Sequence, residues 1–167
     1  MYRLLLVLIS LCFSSGAWSA EVETLSTHGD YVLKREPRGC WVSHTIKDHR
    51  GNDLHFFIKE NGSLTIGHFS NDRKRVLRRF YLEIGQNEYL LVTYGKSSGN
   101  GVWSAGAYSE KLKKFDVMQS QQIVKAMKRG SVASLKFSDE YGAIYERKVS
   151  LSGITAALNA MKDKCSG

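Results

Sequence analysis

Proline is almost absent from this chain: Pro37 is the one occurrence in 167 residues. The 15 glycines are scattered, so no linker or low-complexity segment divides the sequence, and no internal repeat is visible. Cysteine is scarce, with three residues, too few for a disulfide-packed miniprotein. Acidic residues are in deficit, 16 against 24 lysines and arginines, for a formal net charge of +8. An apolar share of 43% and a charged share of 24% are ordinary for a globular protein and exclude disordered and collagen-like classes. Long apolar runs are missing everywhere except at the very start.

There, Arg3 precedes the run Leu4-Leu5-Leu6-Val7-Leu8-Ile9-Ser10-Leu11-Cys12-Phe13, followed by Gly16-Ala17-Trp18-Ser19-Ala20. A charged start, an apolar stretch and small residues form the pattern of a cleaved export signal. The run is about half the roughly twenty residues a bilayer-spanning helix needs, which favours removal over anchoring. Cleavage after Ser19 puts Ala17 and Ser19 at the two small-residue positions, whereas cleavage after Ala20 would put bulky Trp18 at one of them. Leu11 before Cys12 argues against a lipoprotein. The expectation is a signal peptide over 1–19 and one domain over 20–167, located in the periplasm or secreted, with no membrane span. Losing Arg3 leaves 23 basic against 16 acidic residues, a mature charge of +7. Those 148 residues (167 − 19) can bury roughly two thirds of their unfolded surface, enough for an independent core.

Removing Cys12 leaves Cys40 and Cys165, an even pair in an exported chain that meets oxidising conditions. We expect one disulfide between them, tying the start of the fold to its end; a free thiol or an intermolecular bridge are the alternatives.

From residue 30 to about 118, short β-like runs alternate with turn signals. Leu54–Lys59 and Ser63–Phe69 flank Asn61-Gly62, which suits a two-residue type I′ hairpin. Phe80, Leu82 and Ile84 alternate before Gly85-Gln86-Asn87, and Leu90, Val92 and Tyr94 alternate after it, which puts each set on a core face. Phe115–Met118 reads as a further short strand. Ile123, Val124 and Met127 then switch to helical spacing, with Ser120 as N-cap and a stop at Gly130. A third hairpin turns at Asp139-Glu140-Tyr141-Gly142. Ile154, Ala157, Leu158 and Met161 form the stripe of a terminal helix with Lys162 and Lys164 near its end. The expected fold class is mainly β, a β-sandwich or jelly-roll-like arrangement of about eight to ten antiparallel strands with two short helices near the C-terminus.

No catalytic motif emerges. Gly95-Lys96-Ser97 resembles the end of a phosphate-binding loop, but Leu90 occupies the place of its first glycine. Gly99-Asn100-Gly101 lacks the third glycine of a dinucleotide fingerprint, since Ser104 is there. There is no Gly-x-Ser-x-Gly, and Asp139 and Glu140 are acids of a turn. His44, His49, His55 and His68 follow irregular intervals unlike zinc spacing. Counting outward from a two-residue turn makes His55 and His68 face each other, a geometry open to a transition metal or to a plain cross-strand polar pair. The reading is therefore a non-enzyme with no cofactor and no metal.

The strongest binding signal is cationic. Arg73, Lys74, Arg75, Arg78 and Arg79 place five cations in seven residues, and Lys111, Lys113 and Lys114 add another group. Dense charge attracts polyanions. After export, nucleic acid is not the expected partner; an anionic envelope or host glycan or an acidic protein is, beside the plainer reading of a solvated hairpin end. Asn61-Gly62-Ser63 also fits a glycosylation acceptor.

Two segments resemble a known family. Gly29-Asp30-Tyr31-Val32-Leu33 followed by Gly39-Cys40-Trp41-Val42, and the stretch from Ile123–Gly130 through Val149-Ser150-Leu151-Ser152-Gly153-Ile154 and Ala156-Ala157-Leu158 to Cys165, are similar to the two ends of the invasion-associated locus B family of exported bacterial proteins. Tyr31 stands where that family has tryptophan. The resemblance implies an exported β-sandwich with a role in envelope biology or host-cell entry, possessing no agreed catalytic site. The expected function is an exported envelope protein that binds a macromolecular partner and contributes to host interaction. The alternative is a periplasmic inhibitor or immunity protein blocking a toxin or hydrolase. A charge of +7 steers that alternative toward acidic targets.

Overall fold

The computed structural model describes residues 21–69, 79–96, 102–109, 114–138 and 141–165; the leader expected over 1–19 lies outside them. The elements are β1 (Glu23–His28), β2 (Tyr31–Glu36), β3 (Gly39–Lys47), β4 (Asp53–Lys59), β5 (Leu64–Phe69), β6 (Arg79–Ile84), β7 (Asn87–Lys96), β8 (Val102–Ser109), β9 (Lys114–Phe115), α1 (Val117–Met127), β10 (Val132–Ser138), β11 (Ile144–Ser150) and α2 (Ile154–Cys165). The mainly antiparallel β fold with two helices forms as expected. It is built from one continuous sheet in the order β1-β2-β3-β4-β5-β8-β7-β6-β10-β11, with β9 attached to β8. Its ends do not pair, so the sheet stays open.

Alternation selects the inner face. Leu54, Phe56 and Ile58 of β4, Phe80, Leu82 and Ile84 of β6, and Ala133, Leu135 and Phe137 of β10 are buried, while their neighbours in each strand are more exposed. Each fully buried aliphatic or aromatic side chain contributes about 1.5–3 kcal/mol. The buried residues form one core shared by both halves of the sheet and both helices.

Two hairpins form in a register one residue from the expected one. Between β4 and β5, Gly62 N–H donates to the Lys59 carbonyl (2.9 Å) and Lys59 N–H to that of Ser63 (3.0 Å). Strand pairing begins only at Ile58 with Leu64, so His68 lies opposite Leu54, and His55 opposite Gly67. A longer turn with one left-handed residue, Gly62 at φ 79°, replaces the two-residue turn, and the odd step sends His55 to the outer face and His68 to the core. At the next hairpin the turn is shorter than expected, because Asn87 already pairs with Ile84. Leu91, opposite Phe80, is therefore fully buried, and Leu90 and Val92 are only half-buried.

Two helix details also differ. Asp116, not Ser120, is the N-cap of α1: its side chain accepts from Met118 N–H (2.9 Å). The first turn thus takes Val117 and Met118, leaving only Lys114–Phe115 as strand, and Ser120 is buried. α1 lies against β5 and β8 and α2 against β1, β2 and β3, each burying the stripe read from its spacing.

The open edges are held together by local contacts. Tyr31 at the start of β2 donates its hydroxyl to the Ser150 carbonyl of β11 (2.9 Å). Burial, and then the charge of Asp30, push that phenol's pKa up, which keeps the donor proton in place. Nearby, Gly153 has φ 89°, and a Cβ there would stand 2.0 Å from the His28 carbonyl oxygen. At the far end of the sheet, the loop after β3 reaches across to β10 and β11, where the His49 ring stacks on Tyr145 with centroids 3.5 Å apart.

Candidate functional site

Cys40 and Cys165 form a disulfide, with Cα atoms 6.2 Å apart. Cys40 enters from the start of β3 and Cys165 from the last turn of α2. Glu60 stands beside them, accepting a hydrogen bond from Cys40 N–H (2.6 Å). Cys40, Cys165 and Glu60 are the one group of three potential metal-ligating side chains among the described residues, and bonding of the two sulfurs to each other removes them as thiolate ligands.

The basic cluster inferred from sequence is not assembled by the described structure. Arg73, Lys74, Arg75 and Arg78 lie outside the described residues, as do Lys111 and Lys113. Arg79 opens β6, exposed and paired with Val92.

The histidines separate. His55 Nδ1 meets Thr45 Oγ1 (2.9 Å) on the outer face, and burial is the main cause of its lowered pKa. His44 donates from Nδ1 to the Asp30 carbonyl (2.9 Å) beneath Tyr31. His68 meets Asp48, not His55. Its Nε2 donates to Asp48 Oδ2 (3.0 Å) with both side chains nearly sealed from solvent, at 3% and 2% exposure. Asp48 also accepts from the Arg50 and Asn52 N–H groups and from the Asn52 amide. Burial raises this carboxyl's pKa, but hydrogen bonds from Asn52, Arg50 and His68 outweigh it and leave it below the usual value. The pair thus closes the loop between β3 and β4.

The site that sequence reasoning missed is a cleft of about 640 Å³ between the β4–β5 turn, α1 and α2. Its apolar lining comes from Ile58, Val124, Leu158 and Met161, and its polar lining includes five cations: Lys59, Lys125, Lys128, Arg129 and Lys162. Lys125 sits in the last turn of α1, and Lys128, its C-cap, and Arg129 follow directly after it, all three exposed. None of the five is in an ion pair with another described residue. Glu60 is the one acid lining the cleft, and it is engaged by Cys40 N–H.

The walls are fixed. Gln121 of α1 donates to the Asn61 carbonyl at the hairpin tip (2.8 Å), and Thr155 of α2 donates to the Lys128 carbonyl (3.3 Å). A Cβ on Gly62 would come within 2.7 Å of Gln121 Cγ, so glycine permits both the turn and the close approach of α1. The far end of α2 is held by the disulfide, by Arg35 donating to the Lys164 carbonyl and by Lys164 donating to the Leu25 carbonyl (3.1 Å). A primary-sequence signal for this site existed in Lys125, Lys128 and Arg129, but Lys59 and Lys162 join them only through the fold.

Fold and cleft together define an open antiparallel β domain with two helices packed against its sheet, one of them stapled by a disulfide. No family model matches the sequence, and no curated protein does. Among solved structures the fold is similar to the crystal structure of invasion associated protein B from Bartonella henselae, with a TM-score of 0.54 and 11% identity, covering 83% of this chain and 95% of that one. At that identity the likeness is one of fold. No helix among the described residues is long and apolar enough to cross a membrane.

Proposed function

We propose that this is an exported, non-enzymatic protein of the bacterial envelope that binds an anionic glycan or glycolipid through the helix–hairpin cleft and serves in host interaction. The observation that carries this reading is the imbalance of charge in the cleft, five cations against one engaged acid. Such a surface attracts anions over several ångströms and holds them most strongly at low salt. The non-enzymatic reading is supported by His68 and Asp48, the pair most like an acid–base dyad among the described residues. It is sealed in the core, whereas a general base must come within hydrogen-bond reach of substrate. The host-interaction role draws support from the fold it shares with a protein named for invasion.

Elution from immobilised heparin in a salt gradient tests the site. The comparison is between the unaltered protein, K125Q/K128Q/R129Q, and R73A/K74A/R75A/R78A/R79A. The cleft reading expects the first variant to elute at clearly lower salt and the second to stay close to the unaltered protein. Loss of retention in the second variant alone would move the site to Arg73–Arg79. A stoichiometric acidic protein captured from periplasmic extract, with its activity blocked, would replace this reading by that of an inhibitor.

A further inference from the structure

A cationic rim does not explain the floor beneath it. Ile58, Val124, Leu158 and Met161 line one continuous cleft with the five cations; each is a core residue that shows the cleft only a small part of its surface, and none of the four side chains offers a strong hydrogen-bonding group. Asn61, Gln121 and Thr155 also line the cleft, but a sugar or peptide pressed onto the four apolar side chains themselves would leave hydroxyl or N–H groups without partners there, which is costly. An acyl chain has no such groups, and its burial is driven by the apolar area it removes from water. The cleft's volume of about 640 Å³ falls within the roughly 300–1,000 Å³ of small-molecule sites. Its walls are tied before any ligand arrives, by the Gln121–Asn61 and Thr155–Lys128 hydrogen bonds and by the disulfide at the end of α2, so little ordering remains to oppose binding.

The geometry points to a single-chain anionic amphiphile as the occupant: an acyl tail on the aliphatic floor, with its carboxylate or phosphate head held by Lys125, Lys128 and Arg129. This deepens the proposed function and rests on the cleft being the binding site. It adds that the recognised part of a glycolipid partner is its lipid end, the anion and the first stretch of chain together. Arginine can meet a phosphate or carboxylate through two parallel hydrogen bonds, while the lysines act as point charges. Lys59 and Lys162 add positive potential from the hairpin and from α2.

Calorimetric titration of the oxidised protein, below the micelle threshold of each probe, tests this. The probes are saturated fatty acids of eight to fourteen carbons, a fourteen-carbon lysophosphatidate, and a heparin oligosaccharide that has the charge without the chain. The inference expects one amphiphile per protein and an affinity that rises with chain length, up to roughly fourfold per methylene for full burial. K125Q/K128Q/R129Q, all at exposed positions, should weaken it tenfold or more. Comparing the carboxylate with the phosphate head identifies the source of the ligand, and tight binding of either supports the inference. If the oligosaccharide binds and the triple variant loses it, while no amphiphile binds, the lipid occupant is wrong and the cationic cleft stands. If neither class binds, or binding ignores the triple variant, both readings fall.

Discussion

Asp48 illustrates how much one side chain can organise in this protein. Its two oxygens accept from two backbone N–H groups, an amide and an imidazole, so one carboxylate shapes a loop and fastens it to β5. Because its pKa is lowered in the folded state, its contribution is present at neutral pH, above the unfolded value near 4, and is lost as pH falls through the folded value. D48N cannot titrate. We expect it to be less stable than the unaltered protein at pH 7 by about 1–3 kcal/mol, with the gap narrowing toward pH 3, as read from urea midpoints at both pH values. A gap that stays constant would mean that the charge of Asp48 is not what holds the loop. Tyr31 and Gly153 carry a parallel lesson. They belong to the two segments whose resemblance to an exported family was visible in sequence, and in the fold these segments meet: Tyr31 bonds to Ser150, and Gly153 sits against His28. Both positions have a sufficient structural reason for their residue types.

At the scale of elements, type and order were legible from residue 30 onward, while β1 (Glu23–His28) and the register were not. The helical stripes Ile123, Val124, Met127 and Ile154, Ala157, Leu158, Met161 are the buried faces, because spacings of three and four residues put apolar side chains on one helical face. Asn61-Gly62 announced a turn, but glycine's left-handed freedom serves a two-residue turn and a longer one alike. The choice falls to packing: the longer turn lets Gln121 reach Asn61 and puts His68 beside Asp48. The helix start was misplaced for a related reason, since Asp116 and Ser120 are both good caps and the tertiary position of Ser120, inside the core, excludes it from that role. D116A should therefore cost about 0.5–2 kcal/mol in unfolding free energy, whereas an exposed-position control on the same helix, Q122A, should change it little. Equal effects from the two in denaturant titrations would contradict the assignment of the cap.

For the whole molecule, the disulfide was foreseeable and the cleft was not. With Cys12 read as part of a cleaved leader, the two remaining cysteines have few alternatives, and their bond spans 125 residues of sequence, a loop long enough to restrict the unfolded chain by about 4–5 kcal/mol in an entropy model. The cleft draws its cations from Lys59, from Lys125 to Arg129 and from Lys162, three stretches that only folding unites. Sequence therefore pointed to the local cluster around Arg73–Arg79, where proximity along the chain stands in for proximity in space. The most direct test between these two surfaces is hydrogen–deuterium exchange of the oxidised protein with and without a heparin oligosaccharide. The cleft account predicts slowed exchange at the β4–β5 turn, the second half of α1 and the last turns of α2, fading as salt is raised. Slowing over Arg73–Arg79, with the cleft unchanged, would contradict it.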